Sequence, residues 1–100
     1  MFVHTVYFWL REDLSDSDRR AFEQGLTNLL SIETIDHAYK GVPADTDRPV
    51  IDRTYSYGIV VVFRDKTAHD GYQAHPAHDT FREDCERYWR RVQIYDFVTG

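Results

Sequence analysis

Two segments of this chain are apolar on both sides, and that limits the folds open to it more than any other feature. Residues 2–10 read FVHTVYFWL. Successive side chains of a strand point to opposite faces. One face therefore carries Phe2, His4, Val6, Phe8 and Leu10, and the other Val3, Thr5, Tyr7 and Trp9. Neither suits water. Residues 55–63, YSYGIVVVF, pose the same problem toward their end, where Ile59, Val61 and Phe63 oppose Val60 and Val62. Strands of this kind belong to a sheet covered on both faces.

The rest of the chain supplies cover for one face. Ser15 followed by Asp18 is a helix start with a box-like cap, and the acids suit the positive helix end. Phe22, Leu26, Leu29 and Leu30 then recur at helical spacing. A short strand is expected over 36–42 (DHAYKGV), followed by the loop PADTDRP. Thr67 is the expected cap of a short helix running through Tyr72, which Pro76 interrupts. A longer helix follows, with Ala77, Phe81, Cys85, Tyr88 and Val92 on one stripe, and QIYDFV over 93–98 closes the chain as a strand.

The order β-α-β-β-α-β predicts an α+β fold of ferredoxin-like type, a four-stranded antiparallel sheet with helices on one face. A chain of 100 residues forms one such domain, spanning 1–100. The face carrying Tyr7 and Trp9 would then be wet in a monomer. A second copy laid sheet to sheet removes that cost, so a homodimer is expected. Aromatic residues make up 15% of the chain, an excess that needs a pocket or an interface to hold it.

Other classes are disfavoured. A net charge of −5 leaves no basic excess for nucleic acid. Arg82, Arg87, Arg90 and Arg91 cluster, but as the solvated end of a helix. Cys85 is the single cysteine, which excludes an intrachain disulfide and a thiolate cluster and fits a small core filler. No basic-then-apolar leader and no long apolar run is present, so no membrane partner is expected and a reducing cytoplasm is the default location. There is no Gly-rich phosphate loop, no G-x-S-x-G and no CxxC pair.

The densest chemistry lies in Tyr72-Gln73-Ala74-His75-Pro76-Ala77-His78. Pro76 lacks an N–H and its ring clashes with the carbonyl four residues back, so the helix must break or kink. In an unbroken helix Tyr72 and His78 would stand about 120° apart in azimuth. A break can turn phenol and imidazole toward one cavity. His78 falls near the start of the new helix, where the dipole disfavours its charged form and favours a general base. The plainer reading of the same residues is structural, with Tyr72 capping the core and His75 acting as a substitute N-cap. His75, His78 and Asp79 could also ligate a metal, but two histidines at a helix start are weak evidence, and no metal is assigned. His37 and His69 read as exposed or turn histidines. His4, in an apolar stripe, reads as a satisfied core residue that could line a cavity.

The opening VHTVYFWL, the Tyr72…His75-Pro76-Ala77-His78 element, the Phe81…Tyr88-Trp89 helix and the closing IYDF resemble the stress-responsive α/β-barrel (Dabb) family over nearly the whole chain. The resemblance implies a ferredoxin-like homodimer, the dimeric α/β-barrel. Among its members, the plant polyketide cyclase that forms olivetolic acid closes a linear tetraketide without a metal, using a tyrosine and a histidine that resemble Tyr72 and His78. By that analogy His78 takes a proton next to a carbonyl, and Tyr72 hydrogen-bonds the carbonyl or enolate. No cofactor is implied. The expected pocket takes in His4, Val6, Phe8, Phe22, Leu26, Tyr57, Ile59, Val61, His75, Phe81, Val92 and Ile94. Tyr57 replaces a histidine of the cyclase and Leu26 a tyrosine, so the substrate does not carry over. The expected function is binding of a small apolar carbonyl-bearing or aromatic molecule, with cyclase-like acid–base chemistry. The alternatives are a non-enzymatic, stress-associated structural dimer and a cofactor-free monooxygenase.

Overall fold

The strand Phe2–Leu10 (β1) holds a central place in the sheet. In a computed structural model describing all residues Met1–Gly100, β1 pairs antiparallel with Tyr57–Phe63 (β3) on one side and Trp89–Val98 (β4) on the other. His37–Gly41 (β2) adds outside β3, giving the order β2-β3-β1-β4. Three helices complete the chain: Asp16–Leu29 (α1), Lys66–Ala74 (α2) and Pro76–Cys85 (α3), with a 3-10 turn over Glu86–Tyr88 leading into β4. This is the predicted ferredoxin-like fold with a four-stranded antiparallel sheet.

Residues paired across an antiparallel ladder share a face. His4 opposes Val61 and Asp96, Val6 opposes Ile59 and Ile94, and Phe8 opposes Tyr57 and Val92. The helices cover this face. Its core joins Phe8, Ile59, Val61 and Phe63 to Phe22, Leu26 and Leu29 of α1, Tyr72 of α2, and Phe81 and Cys85 of α3. Burying one large apolar side chain contributes about 1.5–3 kcal/mol, so this face supplies most of the driving force for folding.

Helix boundaries follow from caps. Ser15 caps α1, its hydroxyl accepting from the Asp18 N–H while the Asp18 carboxylate accepts from the Ser15 N–H. The start of α2 corrects the sequence reading: its cap is Asp65, whose carboxylate accepts from the Ala68 N–H at 2.9 Å, and Thr67 lies inside the helix. His75 ends α2 and caps α3, its Nδ1 accepting from the Ala77 N–H at 3.0 Å. Its ψ of 138° is the extended conformation that a following proline imposes. Pro76 then takes the first position of α3, where a missing N–H costs nothing.

The last strand is also a correction. α3 stops at Cys85 and β4 begins at Trp89, four residues before the expected Gln93, so Tyr88 and Val92 do not extend the helical stripe. Trp89 pairs with Leu10, and that ladder outweighs the helical spacing of the side chains. β3 starts at Tyr57 instead of Tyr55.

The opposite face carries Val3, Thr5, Tyr7 and Trp9, with Val60 and Val62 of β3 and Tyr95 and Phe97 of β4. It is partly covered by the chain itself. Trp9 is only 5% exposed: the Arg91 guanidinium lies 4.1 Å from its ring, Tyr55 packs edge-on, and its indole N–H donates to Thr54 at 2.9 Å. Trp9 is therefore not a bare surface awaiting cover, as the strand pattern alone implied. The exposed aromatics on this side are Tyr39, Tyr95 and Phe97, at 69%, 61% and 55%.

Gly25 fixes the approach of α1 to α3. A Cβ there would collide with the Cys85 Sγ, on a short buried side chain with little room to move. Helix propensity alone says Gly25→Ala gains roughly 1 kcal/mol. The contact predicts the reverse, a net loss of about 1–3 kcal/mol from overpacking. Urea unfolding should show that loss, and smaller damage when Cys85→Ala is added; a stabilised Gly25→Ala protein would refute the contact.

Candidate functional site

A half-open cavity of about 330 Å³ lies between the helix-covered face of β1 and β4 and helices α2 and α3. That is within the ordinary range for a small-molecule site, roughly 300–1,000 Å³. Of the residues expected from sequence, Tyr72, His78, His4, Val6, Phe8, Ile59, Phe81, Val92 and Ile94 line it. Phe22, Leu26, Tyr57, Val61 and His75 do not. Phe22, Leu26 and Val61 lie deeper in the core, and His75 is occupied as a helix cap with its Nε2 3.2 Å from Glu33. Tyr57 turns away and donates its hydroxyl to Glu23; burial, with that carboxylate beside it, pushes its phenol up to about 12.

Leu29, Gln73, Arg82, Glu86 and Trp89 also line the cavity and were not anticipated. His78, Arg82 and Glu86 are spaced by four, a pattern in the sequence that marks one side of α3 and its continuation. Trp89 was concealed by the helix drawn past its true end.

The break at His75 brings Tyr72 and His78 together. Their rings meet edge-on with centroids 5.0 Å apart, although six residues and a helix end separate them. Tyr72 is buried in the core and its hydroxyl has no hydrogen-bond partner in the chain. Burial raises its phenol pKa well above the usual value, so it remains a protonated donor. His78 is the third residue of α3, and burial lowers its pKa, with Asp79 opposing the shift and Arg82 adding to it. Its imidazole is neutral near pH 7. A neutral base beside an unengaged hydroxyl donor can take a proton from carbon and hold the resulting oxyanion.

His4 forms a third polar point. Its ring lies 5.7 Å from that of Tyr72, and its Nδ1 stands 2.5 Å from Asp96 Oδ1 on the neighbouring strand. A carboxylate only accepts, so Nδ1 carries the proton and Nε2 the lone pair in the neutral ring. Burial lowers the His4 pKa against the opposing pull of Asp96. His69 corrects the sequence reading: it sits on α2 with its side chain 12% exposed, stacked on Phe2 with ring centroids 4.2 Å apart. His37, at the start of β2, is exposed as expected.

Comparisons with known proteins agree with this fold. The family model of the stress-responsive A/B barrel domain matches residues 2–99. No curated protein matches the chain in sequence. Among solved structures, a Dabb-family protein of ferredoxin-like fold from Mesorhizobium loti has a TM-score of 0.79 at 25% identity, covering 99% of this chain and 96% of its own. A dimeric ferredoxin-like protein from Jannaschia has a TM-score of 0.79 at 21% identity, covering 98% of each chain. Hydroxynitrile lyase from Passiflora edulis has a TM-score of 0.79 at 15% identity, covering 99% of this chain and 93% of its own. At those identities the last two show likeness of fold alone.

The two lowered histidines set a pH dependence. His4 and His78 have folded pKa values below their ordinary 6.5, so the unfolded chain binds more protons than the folded one just below that pH. Stability should therefore decline as pH falls from 7.5 through 6.5 toward 5. Urea midpoints measured across this window should fall less steeply in His78→Gln than in the parent; identical slopes would remove His78 as a contributor.

Proposed function

The chain belongs to the stress-responsive A/B barrel (Dabb) family, and from that premise we propose that it binds a small apolar, carbonyl-bearing or aromatic molecule in the cavity and acts on it by acid–base chemistry. His78 takes the proton next to the carbonyl. Tyr72 donates a hydrogen bond to the carbonyl oxygen as charge develops there. Val6, Phe8, Ile59, Phe81, Val92 and Ile94 supply apolar walls. The carrying observation is the contact of a buried, unengaged Tyr72 hydroxyl-bearing ring with a neutral His78 on one cavity. A structural role alone gives no reason to leave both groups without protein partners beside open space. The similarly folded hydroxynitrile lyase supports the reading at the level of fold, since that scaffold carries an enzyme there.

The same proposal includes a homodimer through the sheet face opposite the helices. Exposed Tyr39, Tyr95 and Phe97 there form an apolar surface of the kind interfaces cover, and the similarly folded Jannaschia protein is dimeric. Tyr95→Lys combined with Phe97→Lys should convert the species seen by sedimentation velocity from dimer to monomer. A monomeric parent at micromolar concentration would sink this half of the proposal.

The catalytic half is tested by proton exchange. Small aromatic ketones incubated with the protein in D2O should exchange hydrogen next to the carbonyl, followed by NMR. Loss of a general base costs about 10²–10⁴-fold, so His78→Gln should fall by that amount and Tyr72→Phe by at least tenfold, with melting temperatures nearly unchanged. Large stability losses in both variants, with no exchange by the parent, would return the pair to a purely structural role.

A further inference from the structure

We propose that His4, His69 and Asp96 form a binding site for one divalent transition-metal ion of the zinc type, at the edge of the cavity beside Tyr72. One donor atom from each residue lies within 4.8 Å of the other two. The three come from β1, α2 and β4, so the fold assembles the group and no spacing in the sequence announces it.

A second observation points to a missing partner. His69 Nδ1 is 3.2 Å from Asp70 Oδ1, so in the neutral ring Nδ1–H donates to that carboxylate and Nε2 is left as an acceptor. That Nε2 is buried and has no partner in the protein. A buried acceptor without a donor is costly, and a cation satisfies it. Carboxylate behind imidazole is also the arrangement that orients metal-ligating histidines. Phe2 stacked on the ring holds it in place.

The donor set selects the ion. Two imidazoles and one carboxylate suit Zn²⁺, Co²⁺ or Ni²⁺ better than Mg²⁺ or Ca²⁺, which prefer oxygen throughout. With metal–nitrogen distances of about 2.0–2.1 Å, tetrahedral donors stand roughly 3.3 Å apart. The His4 Nδ1–Asp96 pair at 2.5 Å must therefore open by about 0.8 Å, and the His4 ring must carry its proton on Nε2 instead of Nδ1, so that the Nδ1 lone pair meets the ion. Asp96 has the freedom to move, because its side chain is 38% exposed on the edge strand. Three protein ligands leave a fourth position for water or a ligand, as open zinc sites do.

The site stands independently of the acid–base proposal, and its test reads binding alone. Metal-free full-length protein would be titrated with Co²⁺, whose tetrahedral complexes absorb in the visible, and then with Zn²⁺ in competition. The expected result is one Co²⁺ per chain, displaced by one Zn²⁺. His69→Ala and Asp96→Asn should each weaken binding at least tenfold, and Asp70→Asn, which removes the charge behind His69 and an exposed ion pair with Lys66, by about tenfold. Circular dichroism establishes that each variant is folded; should His69→Ala fail, Asp96→Asn carries the same test without disturbing the core. His75→Ala should bind like the parent. Substoichiometric binding, parental affinity in Asp96→Asn, or loss of binding in His75→Ala in place of these would overturn the site.

Discussion

Everything in this fold is arranged around the double pairing of β1. It gives its N–H and C=O groups to β3 on one side and β4 on the other, so it cannot sit at an edge. Once it is central, its side chains sort the molecule into two halves. His4, Val6 and Phe8 face the helices and look onto the cavity, while Tyr7 and Trp9 face away. A one-residue slip in either ladder would exchange these sets and put the histidine on the wrong side of the sheet. Register here is a condition of the site as much as of stability.

The second organising element is a single residue, His75. It ends one helix and caps the next, and the proline after it forces the extended backbone that separates them. Caps of this kind contribute about 1 kcal/mol, a modest amount, but the directional effect is larger. Without the break, Tyr72 and His78 would diverge around a continuous helix. With it, their rings are in contact over one space.

Much of this was readable beforehand, and the reasons differ by element. β1 and β3 were legible because an apolar run on both faces has few structural explanations. The α1 cap was legible because Ser15 and Asp18 satisfy each other's donors. The start of α2 was misread at Thr67, since Asp65 two residues earlier is an equally good cap and only tertiary placement chooses between them. The end of α3 was misread because Tyr88 and Val92 continue a helical spacing by coincidence, and pairing with β1 decides against it. The candidate site was half legible. Local residues on one break could be grouped from sequence, whereas Asp96 and His69 reach His4 only through the sheet and the packing of α2.

β4 has one property whose consequence reaches past either surface taken alone. Its Val92 and Ile94 form an exposed wall of the cavity, at 39% and 46%, while Tyr95 and Phe97, alternating with them, stand bare on the reverse side. One ribbon thus separates the cavity from the bare reverse face with no intervening layer. Thermodynamic reciprocity requires that whatever effect a molecule in the cavity has on a chain bound to the reverse face is returned in equal measure.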